Sequence, residues 1–160
     1  MKTGIYFQDP KYAVGRFGQC FSDPSCVLYL PLYRLDGASF MSKDAYGHLC
    51  TAGKSVWTPQ GHSFDGLDDD IDCGSGSSFP AGNSDRTILM WIYPKTISLP
   101  YQGFFLYGKL GNNQAFRLAT DPVGNILEAG KYGGDVKGTT LLTLDVWQQI
   151  GVTLNDGNQI

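Results

Sequence analysis

Five aspartates, Asp65, Asp68, Asp69, Asp70 and Asp72, fall within one short stretch, and no lysine or arginine occurs from Ser55 to Asp85. Carboxylate oxygens gathered at this density are hard donors of the kind calcium takes. The adjacent trio Asp68, Asp69 and Asp70 is the candidate metal-ligand set, with calcium as the cofactor it implies. The run lacks the Asp-x-Asp-x-Asp-Gly spacing of an EF-hand loop. Neighbouring side chains of a strand also point to opposite faces. A solvated acidic turn is therefore the competing reading.

Other chemistries find fewer residues to work with. Glycoside hydrolysis uses two carboxyl groups across the scissile bond, about 5–5.5 Å apart in retaining enzymes, and Glu128 is the only glutamate in the chain. A nucleophile triad would draw on His48 or His62, and no Gly-x-Ser-x-Gly elbow accompanies them. Gly74-Ser75-Gly76-Ser77 is glycine-rich but no lysine follows it, so it is no phosphate cradle. The expectation is a non-catalytic chain.

Sugar recognition needs exposed aromatic rings with polar groups beside them. Tyr101, Phe104, Tyr107, Tyr132 and Trp57 are the candidates, and Tyr132, Tyr101 and Trp57 are taken as the ligand-binding set. Tyr132 sits in a glycine-rich stretch that favours exposure, whereas Trp91 and Trp147 read as core. Four cysteines, Cys20, Cys26, Cys50 and Cys73, allow three pairings. They read either as buried thiols or as including a bridge between Cys50 and Cys73, which flank one hairpin. No Cys-x2-4-Cys pair supports zinc.

The elements that would position these residues are strands. Asp65-Gly66 is a hairpin-type dipeptide between two strand patterns, and Asp70, Asp72 and Gly74 alternate with Ile71 and Cys73. Val27 to Tyr33 is apolar over a strand's length and predicts a first core strand, with Pro31 at an edge or bulge. Val56–Thr58 and His62–Phe64 flank a Pro59-Gln60 turn. Thr87 to Pro94 is apolar on both faces and predicts a strand covered on each side. Gly103–Gly108, Ala115–Thr120, Gly124–Ala129 and Val146–Leu154 complete the series, with Gly130–Gly138 as a loop. In the last strand Val146, Gln148, Ile150, Val152 and Leu154 share a face. Strands about every ten residues with Gly, Asn, Asp and Pro between them predict an all-β antiparallel sandwich or jelly roll. Residues 1–25 read as an extended lead-in and 26–160 as the domain. Asn155-Asp156-Gly157-Asn158 is hairpin chemistry with only Gln159 and Ile160 after it, which predicts a domain short of its last strands.

At 160 residues, with net charge −3 and a pI near 5.1, the chain is of single-domain size. Its twelve basic residues are scattered, which argues against nucleic acid and anionic membrane as partners. No apolar run approaches the ~20 residues of a membrane span, and the first residues hold no signal-peptide core.

Several stretches taken in order, Val27–Leu32, Ser42–Gly47, Trp57, Phe64–Ile71, Ile88–Pro94 and Trp147–Thr153, resemble the laminin G-like, concanavalin A-like lectin/glucanase superfamily. The likeness is greatest to the prokaryotic and viral proteins described only as LamG domain-containing. The resemblance implies a two-sheet jelly roll over residues 26–160. It implies a carbohydrate- or protein-recognition and adhesion role, outside the cell, at its surface or on a virion, toward a glycan or a cell-surface protein. It also implies that the chain belongs to a longer polypeptide. A structural module of a larger surface or virion protein is the alternative, and a degenerate glycoside hydrolase relative is another. The glucanase pair of glutamates is absent.

Overall fold

The computed structural model describes residues 3–4, 23–33, 36–97, 100–109, 115–121, 123, 125–131, 134–155 and 158–159. The chain divides into two compact units, residues 2–79 and 80–160. Among the described residues there are strands, turns and irregular segments and no helix, so no helix is long and apolar enough to cross a membrane. The fold is all-β, and the strand pairings within its sheets are antiparallel.

The first unit contains β1 (Thr3–Gly4), β2 (Ser39–Met41), β3 (Leu49–Gly53), β4 (Val56–Thr58), β5 (Gly61–Ser63) and β6 (Asp70–Asp72). β4 and β5 form a two-stranded hairpin, and a separate sheet runs in the order β2-β3-β6. Leu32, Phe40 and Cys50 form its core, with Leu30, Trp57, Ile71 and Cys73 packed against them. The predicted strand over Val27–Tyr33 is not a strand. Its backbone is tied by Asp44 instead: Tyr29 N–H donates to Asp44 Oδ2 at 2.9 Å, and Lys43 N–H donates to the Tyr29 carbonyl. The other oxygen of Asp44 accepts the N–H groups of Tyr46 and Gly47. Burial opposes the charge on Asp44, yet these bonds and one from the Ser42 hydroxyl hold its carboxyl below the ordinary aspartate range.

The second unit contains β7 (Arg86–Pro94), β8 (Gly103–Gly108), β9 (Ala115–Thr120), β10 (Ile126–Lys131), β11 (Gly134–Leu141), β12 (Gln148–Asn155) and β13 (Asn158–Gln159). One sheet includes β7-β12-β13 and the other runs β11-β10-β9-β8. Met90 and Ile92 of β7 and Ile150, Val152 and Leu154 of β12 share one core with Phe116, Leu118 and Ala129 of the second sheet. Two sheets burying facing side chains in this way make a β-sandwich. The strand predicted over Thr87–Pro94 is present but buries one face: Leu89 is 63% exposed. Residues 130–138, expected as a loop, are largely the end of β10 and the start of β11. Val146 lies in the turn before β12 and is exposed, so it leaves the face on which Ile150, Val152 and Leu154 are buried.

Candidate functional site

The outer face of the β8–β11 sheet carries a polar cluster. Strand alternation sends Phe116 and Leu118 to the core and Arg117 and Ala119 the other way. Register then builds two cross-strand rows. Leu106, Arg117, Gly130 and Asp135 stand opposite one another in one, and Gly103, Ala119, Glu128 and Lys137 in the next. Gly130 has no side chain, and its backbone, at φ +148°, is one glycine adopts most readily. Across it, Arg117 donates to both oxygens of Asp135 at 3.3 and 2.9 Å, and Arg117 also pairs with Glu128 Oε1. Lys137 approaches Glu128 Oε2 at 3.7 Å and Asp121 Oδ2 at 3.8 Å. Glu128 and Asp121 are buried. A planar guanidinium held by two carboxylates is fixed in orientation as well as charge.

Tyr101 stands on this support. The Arg117 guanidinium lies 5.0 Å from its ring centroid, a cation–π distance. About half of the residue remains exposed (49%). Its backbone is left-handed, with φ +57°, a conformation that costs a bulky side chain roughly 1–2 kcal/mol per residue and persists where surroundings over-determine it.

The acidic stretch lies in the other unit. Residues 64–69 connect β5, which pairs with β4, to β6, which pairs with β3. Asp65-Gly66 is therefore a loop between different sheets and not a hairpin turn joining two paired strands, although Gly66 has the expected positive φ of +79°. The loop is closed by its own carboxylates. Asp65 Oδ1 accepts the Leu67 N–H, and Asp69 Oδ2 accepts the Asp65 N–H. Lys54, left-handed at φ +61°, pairs with Asp68. One oxygen each of Asp65, Asp68 and Asp69 lies within 4.8 Å of the others. Of the predicted trio, the structure thus gathers Asp68 and Asp69 and replaces Asp70 with Asp65. Asp70 starts β6, where its carboxylate lies over Gly53: a Cβ there would fall 2.0 Å from Asp70 Oδ1.

Among the described members of the predicted ligand-binding set, Tyr101 and Trp57, Tyr101 is the exposed one. Trp57 is partly buried. Its ring meets Phe40 and His62 at 5.3 and 4.2 Å, and its indole N–H donates to the Gly37 carbonyl. Those contacts make it part of the packing in its unit. Phe104 and Tyr107 pack against the sandwich core. Tyr132 lies outside the described residues. Cys50 and Cys73 are free thiols, whereas Cys26 is disulfide-bonded. The Arg117 cluster was not anticipated from sequence, although the alternation in Phe116-Arg117-Leu118 and Leu127-Glu128-Ala129 carries the signal.

No protein-family model, curated protein or solved structure matches the chain.

Proposed function

We propose that this chain is a non-catalytic recognition module, a laminin G-like jelly roll that presents Tyr101 and the polar face beside it to a hydroxyl-rich ligand of the carbohydrate class. The setting would be extracellular, at a cell surface or on a virion. The observation that carries the reading is Tyr101: an exposed ring in a strained backbone, backed by an arginine that two carboxylates hold still. Such preorganisation lowers the ordering cost of binding. Lys137, the exposed member of the same cluster, can donate hydrogen bonds to sugar hydroxyls. Glu128 supports the non-catalytic part, because its two oxygens are already engaged by Arg117 and Lys137.

A glycan array followed by calorimetry on the retained sugars tests this. Tyr101→Ala should weaken binding tenfold or more, about 1.4 kcal/mol, while thermal unfolding stays cooperative. No retained glycan at high protein concentration, or equal affinity of wild type and variant, overturns it.

A calcium ion at the acidic loop is a second reading, favoured by the convergence of Asp65, Asp68 and Asp69. Three carboxylates fall short of the 6–8 oxygens calcium takes, so water or backbone carbonyls would complete the shell. Affinity would then sit in the weak range of about 10⁻⁴–10⁻³ M. Lys54 competes for Asp68, so Lys54→Met should tighten calcium binding. Absence of heat on titrating calcium into both proteins sinks the idea.

A further inference from the structure

Cys50 and Cys73 are the two thiols left unbridged among the described cysteines. Thr51 of β3 stands opposite Asp72 of β6, and Ala52 opposite Ile71. One step further along the same antiparallel register, Cys50 comes opposite Cys73. Side chains at 50, 52, 71 and 73 share a face, and three of these residues, Cys50, Ile71 and Cys73, belong to one apolar cluster. Directly opposed residues of an antiparallel pair have Cα atoms roughly 4.5 or 5.5 Å apart. Both separations lie inside the span of about 4.4–6.8 Å that a disulfide bridges. Cys73 follows the last residue of β6, so its backbone can adjust without breaking a ladder bond.

Access is divided between the two. Cys50 is fully buried, and Cys73 is partly exposed. Cys73 packs against the apolar cluster that contains Cys50, and each sulfur donates to a backbone carbonyl, Cys50 to His48 at 3.5 Å and Cys73 to Ile71 at 3.9 Å. The interaction between the two thiols pulls Cys50 below its ordinary value, while the same interaction and burial push Cys73 up. Elsewhere in the unit, Cys26 is already bridged, which fits a chain that meets oxidising surroundings.

We propose that Cys50 and Cys73 are a dithiol site for a small-molecule disulfide of the glutathione class, and that oxidation closes a cross-strand bridge between β3 and β6. Cys73 is the sulfur a small disulfide can reach; once it gives up its proton it attacks that disulfide, forming a mixed disulfide and expelling one small thiol, a step that quickens as pH rises. Cys50 then attacks the Cys73 sulfur, closes the bridge and expels the second small thiol. Two protein thiols are oxidised and one small disulfide is reduced to two thiols, with the two thiol protons passing to the leaving thiolates. The bridge ties together the ends of the segment that carries the β4-β5 hairpin and the acidic loop.

The test incubates the full chain with oxidised glutathione, quenches by alkylation and maps peptides without reduction. The expected result is loss of two hydrogens from the protein mass and a linked peptide pair containing Cys50 and Cys73. A Tm rise of roughly 5–10 °C should follow, reversed by dithiothreitol. Cys73→Ser should abolish both the link and the rise. Three results overturn the proposal: both thiols still alkylated at equilibrium, a glutathione adduct persisting on Cys73, or linkage of Cys50 or Cys73 to another cysteine. The mapping of the unaltered chain decides the matter even if a cysteine variant fails to fold.

Discussion

His62 is fully buried, its ring packed against Trp57 and Phe64, and neither ring nitrogen has a hydrogen-bond partner. Burial lowers its pKa from 6.5 to about 4, against a smaller opposing pull from Asp69. In the unfolded chain the imidazole protonates near 6.5, so between there and about 4 the unfolded state binds the proton that the folded state refuses. Stability from this residue is therefore complete above pH 6.5 and is lost as pH falls toward 4, by about 3 kcal/mol in all. Against a total of some 5–15 kcal/mol that is a large share. His62→Leu conserves volume, removes two unsatisfied nitrogens and removes the titration. Its denaturant midpoint should match or exceed wild type at pH 7 and should fall less between pH 7 and pH 5. Parallel pH dependence in the two proteins would refute this origin. At the same scale, the acidic loop shows what residue types alone convey. They announced an acidic turn, but which carboxylates converge was decided by where β6 begins. Asp70 is the first residue of that strand and turns onto Gly53, while Gly66 brings Asp65 round to Asp68 and Asp69.

Elements were legible where apolar alternation was strong. β8 and β9 occupy the expected residues, and β7 and β12 differ only at their ends. Gly151 in the middle of β12 also finds its reason there. A Cβ at this position would come 2.5 Å from Leu89 Cδ2 and 2.7 Å from the Ile88 carbonyl oxygen, so the glycine makes room for its neighbour on β7. β11 escaped because it is an edge strand. Gly134-Asp135-Val136-Lys137-Gly138-Thr139-Thr140 is polar but for Val136, and residues 135–140 are mostly exposed, with no apolar period to read. Missing β11 hid the Arg117 cluster as well. Without that strand Asp135 and Lys137 had no register, and the pairing of Glu128 with Lys137 could not be inferred. Val27–Tyr33 is the opposite case, an apolar run that is not a strand. Its apolar residues are partly or fully buried, but Pro31 has no N–H to give a ladder, and Asp44 supplies the partner that a strand would have supplied. Burial and strand formation are separate consequences of an apolar run, and only the first was fixed by composition.

At the scale of the whole chain, two apolar clusters are each contained in one compact unit. His62 belongs to the unit of residues 2–79, yet its titration meets a property of the entire molecule. The pI is near 5.1, so net charge approaches zero in the same interval in which His62 withdraws stability. Low net charge removes the repulsion that keeps molecules apart. At pH 5 the loss from His62 is about 2 kcal/mol, enough to raise the unfolded fraction roughly thirtyfold by the relation of 1.4 kcal/mol per factor of ten. The two effects multiply: more molecules open, and opened molecules repel one another less. Aggregation should therefore peak near pH 5, and light scattering across pH 4–8 should show it. His62→Leu leaves the charge near pH 7 almost unchanged but removes the opening term, so its peak should be lower at the same pH. A peak of equal height in both proteins would assign aggregation to charge alone.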